Sequence, residues 1–288
     1  NRVVRWGASE LQYEADPRHV KKILRDMGME TCNGGTVPGA KEEGKHDEED
    51  KELNEMDRRR FRCVVARANY LAADRADIRF SVKELCRRMS APTTSDMARL
   101  KKLCRYLRER SRIVQVIPVG QEMEKVLHVY VDSDYAGCRR TRRSSTGGCM
   151  MWNRCCLKTW STTQTVVALS SGEAEYYAAL KGASQGLGMQ SMLAELGVDL
   201  EVVVHTDANA CRGISGRQGL GKLRHIAVTL LWLQDVVKQR RIKLVKVPGT
   251  ENPADAMTKY LSRVDMERCL KAMGFEYSEG RTSCIGEI

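Results

Sequence analysis

The chain is 288 residues long and 42% hydrophobic, with 48 Lys and Arg against 37 Asp and Glu, a formal net charge of +11 and a pI near 9.2. The apolar fraction excludes a disordered chain, the length allows roughly two domains, and no run approaches the ~18 apolar residues of a membrane span. The basic balance favours a polyanionic partner, nucleic acid above all, because the basic residues cluster in particular segments.

In chain order, "NRVVRWGASELQYEAD" already has strand rhythm, lacks a signal peptide, and reads as a piece of a longer protein; a helix follows over 17–27. Residues 33–55 combine Gly, Pro and dense mixed charge, which is linker composition, mobile and dispensable. Helices are predicted over 59–72, 77–89 and 94–108, the last behind a "TTSD" N-cap. Their outward faces hold Arg87, Arg88, Arg99, Lys101, Lys102 and Arg108. From 112 the rhythm becomes that of strands, at 112–119, 125–133, 146–152, 156–161, 201–206 and 242–247. Helices interleave at 171–196, 207–215 and 223–239, so the class is a mixed α/β sheet. None of the 11 cysteines forms a C-x-x-C pair, and Cys63, Cys86 and Cys104 fall in apolar patterns. They read as reduced thiols of an intracellular protein rather than zinc ligands.

Four acids stand at element boundaries. Asp132 and Asp134 end the strand of "LHVYVDSDYAGC", where aspartate is disfavoured. In "SSGEAEYYAALKG", Ser170 and Glu173 form a capping box, while Glu175 has no such task and precedes Ala178, Ala179 and Ala183, a face small enough to pack on a sheet. Asp207 and Asp255 lie at strand-to-helix junctions, where a lone Asp is ordinarily a cap. Together Asp132, Glu175, Asp207 and Asp255 can converge at one sheet edge. Crowded carboxylates repel, so they need cations, and hard oxygen ligands select Mg²⁺ or Mn²⁺. Two such ions serve phosphodiester cleavage.

The blocks "VYVDSDYAGCRRTRRSSTGG", "TWSTTQTVVALSSGEAEYYAAL", "HTDANACRGI", "KLRHIAV" and "IKLVKVPGTENPADAMTK" resemble, in order, the ribonuclease H domain of copia-type LTR retrotransposon Pol polyproteins. Residues 57–116 resemble the segment connecting reverse transcriptase to that domain, and the first thirty the polymerase tail; the polymerase's Y-x-D-D motif is absent. The resemblance implies a ribonuclease H-like mixed sheet, three antiparallel strands extended by parallel ones and flanked by helices, behind a small helical connection segment. It implies the divisions 1–56 (polymerase tail and charged linker), 57–118 (connection), 119–262 (ribonuclease H) and 263–288 (C-terminal helix and tail).

It further implies that Asp132, Glu175, Asp207 and Asp255 are catalytic and bind two Mg²⁺, with Mn²⁺ as substitute. Asp132 would bridge both ions, Asp255 would serve the ion activating water, and Glu175 and Asp207 the ion at the leaving oxygen; Asp134 is auxiliary. The substrate would be an RNA–DNA hybrid, the other partner the remaining Pol polyprotein, and the setting intracellular, cytoplasmic or nuclear or within retrotransposon particles. Cellular ribonucleases H often carry a His before the last Asp that "VPGTENPAD" lacks, which points to slow turnover. Phosphate contacts are expected from Arg142, Arg143 and Ser144 in "RRTRRSSTGG" and from Lys222, Arg224 and His225 at a helix start. Two rivals are a catalytically silent relic that still binds nucleic acid, and another nuclease or integrase of the same broad fold, of which integrases would use three acids and lack the "SSGEAEYYAA" and "NPADAMTK" blocks.

Overall fold

The computed structural model describes residues 2–41, 50–138, 140–219 and 228–280. The chain divides into two compact units, one made of residues 1–120 and 260–288, the other of 121–259. Segments 1–56, 57–118 and 263–288 thus all belong to one unit.

The first unit opens with strands β1 (Arg2–Trp6) and β2 (Glu10–Ala15) and helix α1 (Arg18–Met27). Helices α2 (Glu55–Leu71), α3 (Arg79–Cys86) and α4 (Thr94–Glu109) follow, then strand β3 (Arg112–Pro118). The helices bury the stripes their periodicity announces: Phe61, Val64, Val65, Ala68 and Leu71 of α2 meet Val82 of α3 and Leu100, Leu103 and Leu107 of α4 in one core. Where a helix was expected over 77–89, a 3-10 turn (Ala76–Ile78) precedes α3, which stops at Cys86. The turn is fixed by a fully buried ion pair, Arg75 donating to both Asp77 oxygens at 2.9 and 2.6 Å.

The linker reading of 33–55 fails at its far end. Leu53 is buried in the core, Asn54 caps α2 through the Asp57 N–H, and Asp50 accepts from the Thr94 hydroxyl and the Ser95 N–H. An isolated bridge also pairs Glu52 with Thr93. Polar composition masked one apolar residue and two caps. Residues 42–49 lie outside the described residues.

The second unit supplies β4 (Val126–Asp134), β5 (Ser145–Trp152), β6 (Cys155–Thr163), helix α5 (Ser171–Glu195), β7 (Glu201–Thr206), α6 (Asn209–Ser215), α7 (Trp232–Lys238) and β8 (Ile242–Lys246). The chain then returns to the first unit through α8 (Arg263–Ala272) and β9 (Phe275–Ser278). There β9 completes an antiparallel sheet of order β1-β2-β3-β9, pairing Arg112 with Ser278 and Gln115 with Phe275. Arg112 also donates to the carbonyls of Glu279 and Gly280, and the Tyr106 and Tyr277 hydroxyls meet at 2.8 Å. The helix expected over 223–239 is described only from 228, as a 3-10 turn (Val228–Leu231) and α7.

The sheet of the second unit runs β6-β5-β4-β7-β8; β4, β5 and β6 are antiparallel, and β7 and β8 extend β4 in parallel. This is the ribonuclease H-like order the resemblance implies. Leu127, Val129 and Val131, alternating along β4, are fully buried with Ala178, Ala179 and Ala183 of α5. The small-residue face brings helix and sheet close. A Cβ on Gly182 would collide with Val131, and one on Gly186 would lie 2.7 Å from Val202 Cγ1. Among the described residues, no helix is long and apolar enough to cross a membrane.

Candidate active site

The site forms where β4 ends. With Val131 turned into the core, strand alternation sends Asp132 to the other side, opposite Gly147 of β5. A Cβ on Gly147 would lie 2.6 Å from both Met257 Cβ and Thr258 Cγ2, so only a glycine lets the following segment cross the sheet there. That segment is a 3-10 turn, Pro253–Met257, with Asn252 as its cap. The Asn252 side chain accepts from the Ala254 N–H and donates to the Val131 carbonyl at 2.9 Å, anchoring the turn to the strand that bears Asp132. Asp255 and Thr258 arrive with it, and the Thr258 hydroxyl donates to Asp132 Oδ2.

Glu175 comes from the first turns of α5. Its Oε1 accepts from the Ser133 N–H at 3.2 Å and the Ser133 hydroxyl at 2.9 Å. Glu173 faces its own helix start, accepting from the Leu169 N–H and the Tyr177 hydroxyl. Asp207 follows β7. Carboxylate oxygens of Asp132, Glu175 and Asp207 lie within 4.8 Å of one another. Asp255 stands beside this trio rather than in it, ion-paired with Lys259 at 2.8 Å.

Burial, reinforced by Asp255 and Asp207, lifts the Asp132 carboxyl to about 7 against the opposing pull of Lys259 and Thr258. Burial, then Asp132, lifts Glu175 to about 8. Glu175 Oε2 is shut away from solvent with no hydrogen-bond partner. A buried carboxylate oxygen without a donor is costly, and a carboxyl group crowded by two others more so. Hard oxygens in this arrangement fit a divalent cation.

A pH dependence follows. Asp132 and Glu175 bind protons more tightly folded than unfolded, so the stability they contribute is full below their ordinary values of 3.8 and 4.5 and is lost as pH rises through about 7 and about 8. Thermal melts in chelator should fall between about pH 5 and about pH 8, and a divalent ion should restore the melting temperature mainly at the alkaline end. A flat profile in chelator would contradict this electrostatic account.

The other expected contacts divide. Arg142 and Arg143 are exposed in the turn between β4 and β5, where Arg142 is left-handed (φ 57°) and its N–H donates to the Cys138 carbonyl at 2.7 Å. Ser144 is fully buried and its hydroxyl accepts from the Ala136 N–H at 3.0 Å, so it braces the turn and cannot reach a phosphate. Asp134 has a similar task, accepting from the Ser145 N–H. Lys222, Arg224 and His225 lie outside the described residues. The sequence reading missed Asn252, Thr258 and Lys259. A signal for the first existed in "NPAD", an Asn cap with Pro in the first turn; Lys259 stands four residues after Asp255.

Over 206 residues the chain is 30% identical to the retrovirus-related Pol polyprotein from transposon TNT 1-94 of Nicotiana tabacum, covering 71% of this chain and 15% of that one. The chain belongs to the retrovirus-related Pol polyproteins. The Pol polyprotein from transposon RE1 of Arabidopsis thaliana is 28% identical over 217 residues, 74% of this chain and again 15% of its own. The copia-type resemblance is thereby borne out, and this Pol chain spans about 15% of the length of those relatives. No family model matches it. A solved structure, LC11-RNase H1 isolated from compost, is 17% identical, covers 47% of this chain and 94% of its own, and has a TM-score of 0.34. Strand order and direction, rather than that likeness, carry the fold.

Proposed function

We propose that the second unit of this Pol chain hydrolyses the RNA strand of RNA–DNA hybrids during reverse transcription, with Asp132, Glu175, Asp207 and Asp255 as its catalytic and metal-binding carboxylates. The observation that carries the reading is the convergence of carboxylate oxygens of Asp132, Glu175 and Asp207 within 4.8 Å, with Glu175 Oε2 buried and unpartnered. Asp132, Glu175 and Asp207 would hold one Mg²⁺ or Mn²⁺, and Asp132 and Asp255 would flank a second. Such ions supply charge stabilisation for the attacking and leaving oxygens of a phosphodiester.

The protein's own groups do the rest. Ser133 fixes the rotamer of Glu175, Thr258 that of Asp132, and Asn252 holds the Asp255 turn on the strand. Exposed Arg142 and Arg143 present forked donors suited to phosphate oxygens. The net charge of +11 draws the polyanion in. In this reading residues 1–56 and 57–118 are polymerase tail with linker and connection segment, 119–262 is the ribonuclease H domain, and the remaining Pol polyprotein is the partner inside the cell.

The test is cleavage of an end-labelled RNA–DNA hybrid by the full chain in Mg²⁺, in Mn²⁺ and in chelator. Duplex DNA and single-stranded RNA serve as controls. Cut RNA from the hybrid alone, abolished by chelator, is the expected result. Ion binding and hybrid binding without any cleavage would identify a silent relic.

A further inference from the structure

A cation of the chain's own already stands in the site. Lys259 Nζ lies 2.8 Å from Asp255 Oδ1 and 3.8 Å from Asp132 Oδ2. The Thr258 hydroxyl donates to the same Asp132 oxygen, so both contacts fall on Oδ2. Lysine and threonine are neighbours on the segment leaving the Pro253–Met257 turn, and that turn is tied to β4 by Asn252. Asp255 and its counter-charge therefore reach the site together. The ammonium is shared by two carboxylates that belong to different strand-end segments.

Charge sets the consequence. Asp132, Glu175, Asp207 and Asp255 with Lys259 leave an excess of negative charge that one divalent ion nearly cancels. A second ion near Asp132 and Asp255 would meet an ammonium within a few ångströms, and like charges at such distances repel strongly unless water separates them. Lys259 is half exposed on a flexible stem, so it can swing out to solvent without unfolding anything.

We propose that Lys259 is a resident counter-cation occupying the Asp132–Asp255 half of the site, so that one divalent ion binds at Asp132, Glu175 and Asp207 and a second enters only by displacing the ammonium. The inference rests on the metal-dependent reading above and adds an order to the loading: first ion into the Asp132, Glu175 and Asp207 trio, second ion in exchange for a lysine. Lys259 is on this account a positioning residue. It sets the affinity of the second ion and takes no part in bond making.

The test is calorimetric titration of Mn²⁺ into the metal-stripped full chain, comparing wild type with Lys259→Met, Lys259→Gln and Lys259→Arg. Wild type should bind one ion, with a second weaker by about tenfold or more, as a unit charge at this distance in a partly solvated setting implies. In Lys259→Met and Lys259→Gln the second ion should tighten by about the same factor while the first changes little; Lys259→Arg should keep the wild-type pattern. Thermal melts identify any variant that fails to fold, and either neutral variant suffices. Unchanged second-ion affinity in a folded neutral variant overturns the role of Lys259 while leaving the ion site standing. So does equal tightening of both ions, or an arginine variant that behaves as the neutral ones do. No Mn²⁺ binding by any form overturns the metal-dependent reading, and the inference with it.

Discussion

Asp132→Asn should reduce hybrid cleavage by about a thousandfold or more and, in the same protein stripped of metal, raise the melting temperature at alkaline pH. The first effect follows from position. Asp132 belongs both to the trio with Glu175 and Asp207 and to the pair with Asp255 that Lys259 bridges. Removing its charge weakens both halves, and losing several kcal/mol of charge stabilisation corresponds to that factor. The second effect has the opposite sign because Asp132 is a buried carboxyl lifted to about 7, whose ionisation the fold resists. An amide keeps the shape and still accepts the Thr258 hydroxyl. Hybrid affinity should survive, since phosphate contacts by Arg and Lys supply most of it. Asp134→Asn should slow cleavage far less, because Asp134 braces Ser145 at the turn. Cleavage rate, hybrid affinity and melting temperature for both variants decide the matter. Intact cleavage by Asp132→Asn removes this residue from the chemistry, and equal losses in the two variants would mean that both acids serve it.

The largest stability effect should come from Arg75→Met, in the other unit. Arg75 and Asp77 are fully buried, and the guanidinium also donates to the Ser111 and Arg110 carbonyls at 3.0 and 2.8 Å. The Tyr106 hydroxyl donates to Asp77 Oδ2 at 2.8 Å and meets the Tyr277 hydroxyl. Removing one partner of a buried pair strands the other, at a cost of about 3–5 kcal/mol. The loss should show in hydrogen exchange as early opening of β3 and β9, with β4 and β7 unaffected. Asp77→Leu added to Arg75→Met should recover part of the loss, since the stranded charge is then gone. A single variant within about 1 kcal/mol of wild type would show that the pair is not stabilising in this setting.

Much of the second unit was legible from local chemistry. Period-2 alternation placed β4 over 125–133 where the strand runs Val126–Asp134, and small residues with a cap placed α5 over 171–196 where it runs Ser171–Glu195. Ser170 and Glu173 were read as a capping box; Ser170 does accept from the Glu173 N–H, while the Glu173 carboxylate binds Leu169 and Tyr177. What escaped depends on partners distant in the chain. Nothing within "RRTRRSSTGG" tells that Ser144 turns inward to the Ala136 N–H. Thr258 and Lys259 acquire a role only when Gly147, more than a hundred residues earlier, lets their segment cross the sheet. Leu53 was lost among charges, although one apolar residue suffices to dock a polar stretch. The cysteines split likewise: Cys104 is buried, Cys86 half-buried and Cys63 exposed.

The pairing of β3 with β9 bears on how this chain is made. A ribosome releases residues 1–120 with one edge of their sheet open and with Arg112 and Tyr106 still lacking the partners that residues 275–280 bring. Every residue of the second unit must be synthesised before β9 can pair with that edge. At bacterial or eukaryotic elongation rates of about 5–20 residues per second the delay is roughly 10–30 seconds, ample for the intervening unit to fold first. The segment earliest in the sequence is then the last to be finished. Until it is, β3 presents an unpaired row of backbone N–H and C=O groups, open to mispairing.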